Sequence, residues 1–203
     1  MQADHDLFRA MREQLFTAVV GDVLDAMGFR RQFLPAAIQP LDPEMVVVGR
    51  AMPVLEADYF VYSEQGQSEL SGEPFGLMLR ALDDLKTDEV YIAAGGSPRY
   101  ACWGELMSTR AMKLGAAGAV LQGYSRDTRG ILRLGFPTFS LGRYAQDQAY
   151  RGKVVDFRIT IRSEGRFTRR PSALRPDLMA MQSSPVSNTV SSMSTSLHAS
   201  GSQ

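Results

Sequence analysis

Apolar positions recur at helical spacing from residue 7 to residue 28. LFRAMREQLF is amphipathic, and in GDVLDAMG the residues Val23, Leu24 and Met27 follow helical spacing, with Gly28 as a stop. Residues 29–44 carry three prolines and read as a loop, whereas MVVVGRAMPVL (45–55) has a strand pattern, with Gly49 marking a bulge and Pro53 near its end. Residues 56–73 show no period. PFGLMLRALDDL (74–85) opens on a proline suited to a first helical turn and puts Phe75, Met78, Leu79 and Leu82 on one face. Residues 88–94 predict a short strand, 95–103 a loop, 104–115 a helix closed by Gly115, and 117–123 a small-residue strand of the buried kind. A turn (YSRD), a short helix to Leu134 and a strand over 136–141 follow. KVVDFRITI (153–161) alternates, with Val155, Phe157, Ile159 and Ile161 facing one way. The α-β-α-β-α-β order from 74 to 141 predicts parallel strands with right-handed crossovers.

The length of 203 residues fits one domain with an appendage, here residues 1–161 followed by an atypical tail over 162–203. That tail holds Arg162, Arg166, Arg169, Arg170 and Arg175 near its start. Residues 181–203 contain no Asp, Glu, Lys or Arg, which predicts disorder. The charge balance of 22 basic and 22 acidic residues speaks against nucleic-acid binding. No apolar run approaches the roughly 20 residues of a membrane span, and the polar start is no secretory leader. A single cysteine excludes an internal disulfide and fits a reducing, cytoplasmic setting.

Two scarcities narrow the chemistry. His5 and His198 both lie near the chain ends, so a Ser-His-Asp or Cys-His mechanism and a His-ligated zinc lack an imidazole. The three lysines, Lys86, Lys113 and Lys153, fall on helix faces, helix ends or a strand start, where none reads as a desolvated Schiff-base lysine. Carboxylates, arginine, backbone amides, water or metal remain. Ligands of parallel sheets bind off the strands' carboxyl ends, which collects Glu105, the amides of 104–107, Arg126 and Asp127. A helix N-terminus and an arginine fork suit a carboxylate. Asp127 and Glu105 are hard ligands suited to Mg²⁺ or Mn²⁺. Taken singly, each has a bland reading: a surface ion pair for Arg126 and Asp127, a dipole-matched charge for Glu105, a turn for Gly95-Gly96, and packing for Cys102 and Trp103.

The stretch GGSPRYACWGELMSTRAMKLGAAGAVLQGYSRDTRGILRLGFPTFSLG resembles the 4-hydroxy-4-methyl-2-oxoglutarate aldolases and the related regulators of ribonuclease activity A. VVGDVLDAMG (19–28) and GRAMPVLEAD (49–58) fit the same family. The most specific feature is Glu105, twenty intervening residues, then Arg126-Asp127, two residues and Gly130. The resemblance implies a swivelling β/β/α fold, a mixed sheet with flanking helices, and a ring-shaped homotrimer or a hexamer. It implies a divalent-metal, lysine-independent aldolase that releases pyruvate and also decarboxylates oxaloacetate. By position, Gly104, Glu105, Leu106 and Met107 would bind the pyruvyl part, Arg126 the oxo acid and its enolate, and Asp127 the metal. Glu105 would orient metal-bound water or assist proton transfer, although the aldolases commonly carry Asp there.

The alternative is a non-catalytic regulator that binds a ribonuclease; a methyltransferase reading lacks a glycine-rich loop for a nucleoside cofactor. After residue 161 the chain departs from the family's pattern. Nineteen arginines against three lysines point to a GC-rich gene, and the departure reads as a frameshift or truncation that removes strands and exposes a sheet edge. Translating the other two frames after codon 161 checks this: absence of a Pro-Gly turn and an apolar strand would refute it.

Overall fold

The computed structural model of the chain describes residues 2–30, 32–59, 75–163, 166–168 and 178–182. The elements run α1 (Gln2–Gln14), α2 (Thr17–Ala26), β1 (Gln39–Pro40), β2 (Val46–Asp58), α3 (Met78–Asp83), β3 (Glu89–Ala94), β4 (Ala101–Trp103) and α4 (Glu105–Lys113). They continue with β5 (Gly118–Leu121), β6 (Tyr124–Ser125), α5 (Thr128–Leu134), β7 (Thr138–Ser140), β8 (Gly152–Phe157), β9 (Ile161–Ser163), β10 (Arg166–Thr168) and β11 (Leu178–Gln182). The single helix expected over 7–28 is two, with Phe16 at the N-cap of α2.

The main sheet runs β1-β7-β5-β3-β2, and β2, β3, β5 and β7 are parallel, as the alternating pattern predicts. Both faces are apolar. Met52, Val54, Tyr91, Ala93 and Leu121 meet Leu82, Ala111 and Ile131 from the helices. Ala51, Val90, Ile92, Val120 and Phe139 pack with Leu34 and Ile38. This two-sided burial is why the strands read as continuous apolar runs. A second, small parallel sheet of β4 and β6 stands beside the first, so the mixed-sheet fold with flanking helices is the one expected.

Several of these expectations change. The outer edge of β2 is not exposed: β11 pairs antiparallel with its first half (Val46–Arg50) and β8 with its second (Val54–Asp58). β9 and β10 pair antiparallel within the arginine-rich stretch that shows no period. Of the stretch 181–203 expected to be disordered, Met181 and Gln182 lie in β11, and the residues from 183 on are outside the described residues, as are 164–165 and 169–177. The alternation over 153–161 also breaks. Val154 is fully buried, and Val155 is only half-buried. A register shift between Leu55 and Glu56 and a left-handed Arg158 (φ 57°) interrupt the strand's period. Arg158 then reaches Glu89, with Nη1 and Nη2 at 2.8 and 2.7 Å, and also pairs with Asp84. Lys153 is also buried rather than solvated, its ammonium 4.1 Å from the Tyr59 ring centroid. Among the described residues, no helix is long and apolar enough to cross a membrane.

Candidate functional site

The loops after β3, β5 and β7 open on one edge of the sheet, as parallel topology requires. The loop after β3 runs through Gly95 (φ 111°) and β4 into α4; the Arg126 N–H donates to the Trp103 carbonyl at 2.9 Å. That bond sets Arg126 beside Gly104, the N-cap of α4. Trp103 is buried and donates its indole N–H to Ser108 Oγ at 2.7 Å, which fixes the approach to the helix from below. Trp103 is therefore a packing residue, and the Cys102 thiol is buried too, its pKa pushed well up by burial.

Asp127 caps α5 with a left-handed backbone (φ 55°, ψ 31°). Aspartate tolerates that region better than most residues, and such strain concentrates at functional sites. An ideal Cβ on Gly104 would lie 2.8 Å from Asp127 Oδ2 and 3.4 Å from Arg126 Cγ, so a side chain there would press on that carboxylate. Gly130 plays the same part for Glu105: a Cβ there would overlap the Glu105 carboxylate and lie 2.7 Å from its Cγ. The spacing of Glu105, Arg126-Asp127 and Gly130 thus has a steric cause. Arg133 Nη2 stands 3.8 Å from Glu105 Oε1.

The Arg126 guanidinium is clamped. Nη1 donates to Asp147 Oδ2, and Nε donates to Asp127 Oδ2 at 3.4 Å. Burial works against its charge, but Asp147 and then Asp127 outweigh it and hold the cation more firmly than usual. Among the described residues Nη2 has no partner in the chain. The N-terminal turn of α4 supplies amides beside it. The side chains of Leu106 and Met107 do not join the site: Leu106 is 85% exposed and Met107 packs against the core. Of these two residues only the backbone N–H groups face the start of α4.

Sequence reasoning missed Asp147. It sits in GRYAQDQAYRG, which has no period, and only the fold returns it to Arg126. It also missed a buried polar cluster around Glu56. Gln148 Nε2 donates to Glu56 Oε2 at 2.7 Å, while Glu56 Oε1, Gln148 Oε1, Tyr91 OH and Ser97 Oγ are buried without a partner among the described residues. Burial raises the Glu56 pKa to about 8, the Gln148 hydrogen bond opposing. Beyond it lies a cavity of about 470 Å³, lined by Asp58, Tyr59, Ser97, Arg99, Tyr144 and Arg151 among others. Burial also acts to raise the Asp58 pKa, but the Ser97 N–H at 2.8 Å and Arg99 hold the carboxyl below its usual range.

A divalent cation fits this donor set in one way. Among the described residues, no group of three or more His, Cys, Asp or Glu is placed to hold one. Asp127, in the space that Gly104 keeps open, is a single hard carboxylate. Mg²⁺ accepts that arrangement, taking one or two carboxylates and filling its other positions with water and substrate oxygens.

The RraA-like family (Aldolase/RraA) is matched over residues 17–171, and the chain belongs to it. An uncharacterised protein of Methanocaldococcus jannaschii is 30% identical over 90 residues, 43% of each chain. A solved structure titled as novel cellulases from microbes associated with the gut ecosystem is 24% identical, with a TM-score of 0.76, covering 93% of this chain and 78% of that one. RraAS2 of Streptomyces coelicolor, titled an unusual member of the RNase ES inhibitor RraA family, is 20% identical with a TM-score of 0.73, covering 94% and 86%. At these identities the structural likenesses show the fold alone. The family takes in both aldolases and RraA regulators.

Proposed function

We propose that this RraA-like protein is a divalent-metal-dependent lyase. It cleaves 4-hydroxy-4-methyl-2-oxoglutarate to pyruvate and decarboxylates oxaloacetate through a common enolate. The observation that carries the reading is the Arg126 clamp, which presents one free guanidinium arm next to the α4 amides, Glu105 and Asp127. Asp127 would hold the cation, which when bound supplies Lewis-acid polarisation of the 2-oxo group. Arg126 and the amides of Glu105 to Met107 would bind the carboxylate and oxo oxygens and stabilise charge as it develops there. In the cleavage the 4-hydroxyl loses its proton, the C3–C4 bond breaks into a new carbonyl, and the electron pair passes into the pyruvate enolate. Glu105 is suited to carry that proton away and return one to C3. Oxaloacetate gives the same enolate by losing CO₂.

The test is pyruvate release from both substrates, with Mg²⁺ and with EDTA, alongside Asp127→Ala. We expect release with Mg²⁺, background with EDTA, and a fall of about 100-fold or more in the variant. No release from folded protein would reject the lyase and leave a regulator that binds a ribonuclease.

The homotrimer belongs to the same proposal. Phe16, Val19, Val23 and Met27 form an exposed apolar stripe along α2, a face suited to a second copy. Light scattering is then expected to give about three times the 22.4 kDa chain mass, and Val23→Asp a smaller species. A monomeric wild type would refute self-association.

A further inference from the structure

Glu56 is oddly placed. It follows Met52 and Val54 on the same face of β2, where the alternation asks for another apolar residue. A register shift between Leu55 and Glu56 marks the place where the pairing with β8 changes. The side chain is 3% exposed, and half of its hydrogen-bonding capacity is unmet. A buried polar group with unmet bonds weakens a fold, and its retention calls for another explanation. The connection through Gln148 supplies one. Gln148 turns inward to Glu56, and its chain neighbour Asp147 turns outward to Arg126. The same short turn is tightened by Ala149 N–H to Asp147 Oδ1 at 2.8 Å and by Arg151 and Gly152 N–H to the Gln148 carbonyl at 2.9 and 3.0 Å. Gln148 is thus the inward anchor of the turn that carries the Arg126 clamp.

We infer that Glu56 is a positioning residue, which through Gln148 fixes the 146–152 turn so that Asp147 holds Arg126 in the geometry that receives the 2-oxo acid. This rests on Arg126 being the oxo-acid ligand. The groups that face Glu56 are Tyr91 on β3 and Tyr100 and Cys102 at β4, whose pKa values are raised chiefly by burial and next by Glu56 itself. Lys153 on β8 lies one position along, over the Tyr59 ring. The neutral acid suits this cluster.

Oxalate, a dianion shaped like the pyruvate enolate, is the probe. It is titrated with Mg²⁺ into wild type, Glu56→Leu, Glu56→Gln and Gln148→Ala. Leu85→Ala serves as a core-cavity control among residues of α3 and its exit. At pH 7, Glu56→Leu and Gln148→Ala are expected to lose about tenfold in affinity, while Glu56→Gln, which keeps the acceptor for Gln148, stays within about twofold. Wild-type affinity in Glu56→Leu, or an equal loss in Leu85→Ala, would overturn the proposal. If wild type does not bind oxalate, the Arg126 assignment fails first. The ¹⁵Nε resonance of Arg126 then still tests the brace: it should move in Glu56→Leu and not in Leu85→Ala, and no movement would overturn it.

Discussion

Arg126→Ala is expected to abolish pyruvate release, lowering kcat/KM by about a thousandfold or more. Two losses combine. The free Nη2 arm disappears, so the carboxylate and oxo oxygens keep only the α4 amides. The fixed cation beside the developing enolate disappears as well, and that interaction grows toward the transition state. The substitution also leaves Asp147 and Asp127 facing the site without the cation between them. Two uncompensated negative charges repel an anionic substrate, so KM should rise as kcat falls. Arg126→Lys would keep the charge but lose the fork, which grips Asp147 and Asp127 while presenting a third arm. It is expected to recover little activity. The side chain is a third exposed and its partners are carboxylates at the surface, so the cost in stability should be small. Steady-state kinetics with a melting curve on the same sample checks this. A folded Arg126→Ala with more than about a tenth of wild-type kcat/KM would refute the role.

The second large effect comes from a residue that touches no substrate. Gly130→Ala is expected to leave the fold intact, or firmer, and to lower kcat by about 10- to 100-fold. Gly130 lies inside α5, where alanine is favoured over glycine by about 0.5–1 kcal/mol. The new methyl group would stand where the Glu105 carboxylate now rests. Glu105 is 42% exposed at its side chain, so it can swing aside without breaking the core. The acid-base group is then displaced while the helix gains. Glu105→Asp in the Gly130→Ala background shortens the side chain and should restore part of the rate. An unchanged kcat in Gly130→Ala would show that the position of Glu105 does not matter to the reaction.

The α-β alternation, the parallel sheet and the approach of Glu105, Arg126 and Asp127 were legible because each depends on local period or on where loops must emerge. Gly130 was legible as part of a spacing, but its cause was not: the collision with Glu105 exists only once α4 and α5 pack. Asp147 and Gln148 escaped because a turn without hydrophobic period carries no signal of what it faces. Glu56 escaped because a carboxyl at the end of a strand reads as solvent-facing, and the shift that accompanies its burial depends on pairing with residues about a hundred positions away. Lys153 was misplaced for the same reason, and the face of 153–161 because Arg158 breaks the strand at a point where alternation alone runs on.

The covering of β2 by two strands has a consequence for how the chain assembles. The parallel strands β3, β5 and β7 follow one another within residues 89–140, through crossovers that carry α4 and α5. The contact of β11 with β2 joins Leu178 to Arg50 and Gln182 to Val46, across most of the sequence. Closing so long a loop is entropically costly and slow, and such pairings come late. During synthesis on a ribosome, half of the β2 edge therefore stays open until residues 178–182 emerge. In that interval Val46–Arg50 offers unpaired backbone groups to any neighbouring nascent chain. The arrival of β11 closes that half of the β2 edge, a latch set in time as well as in space.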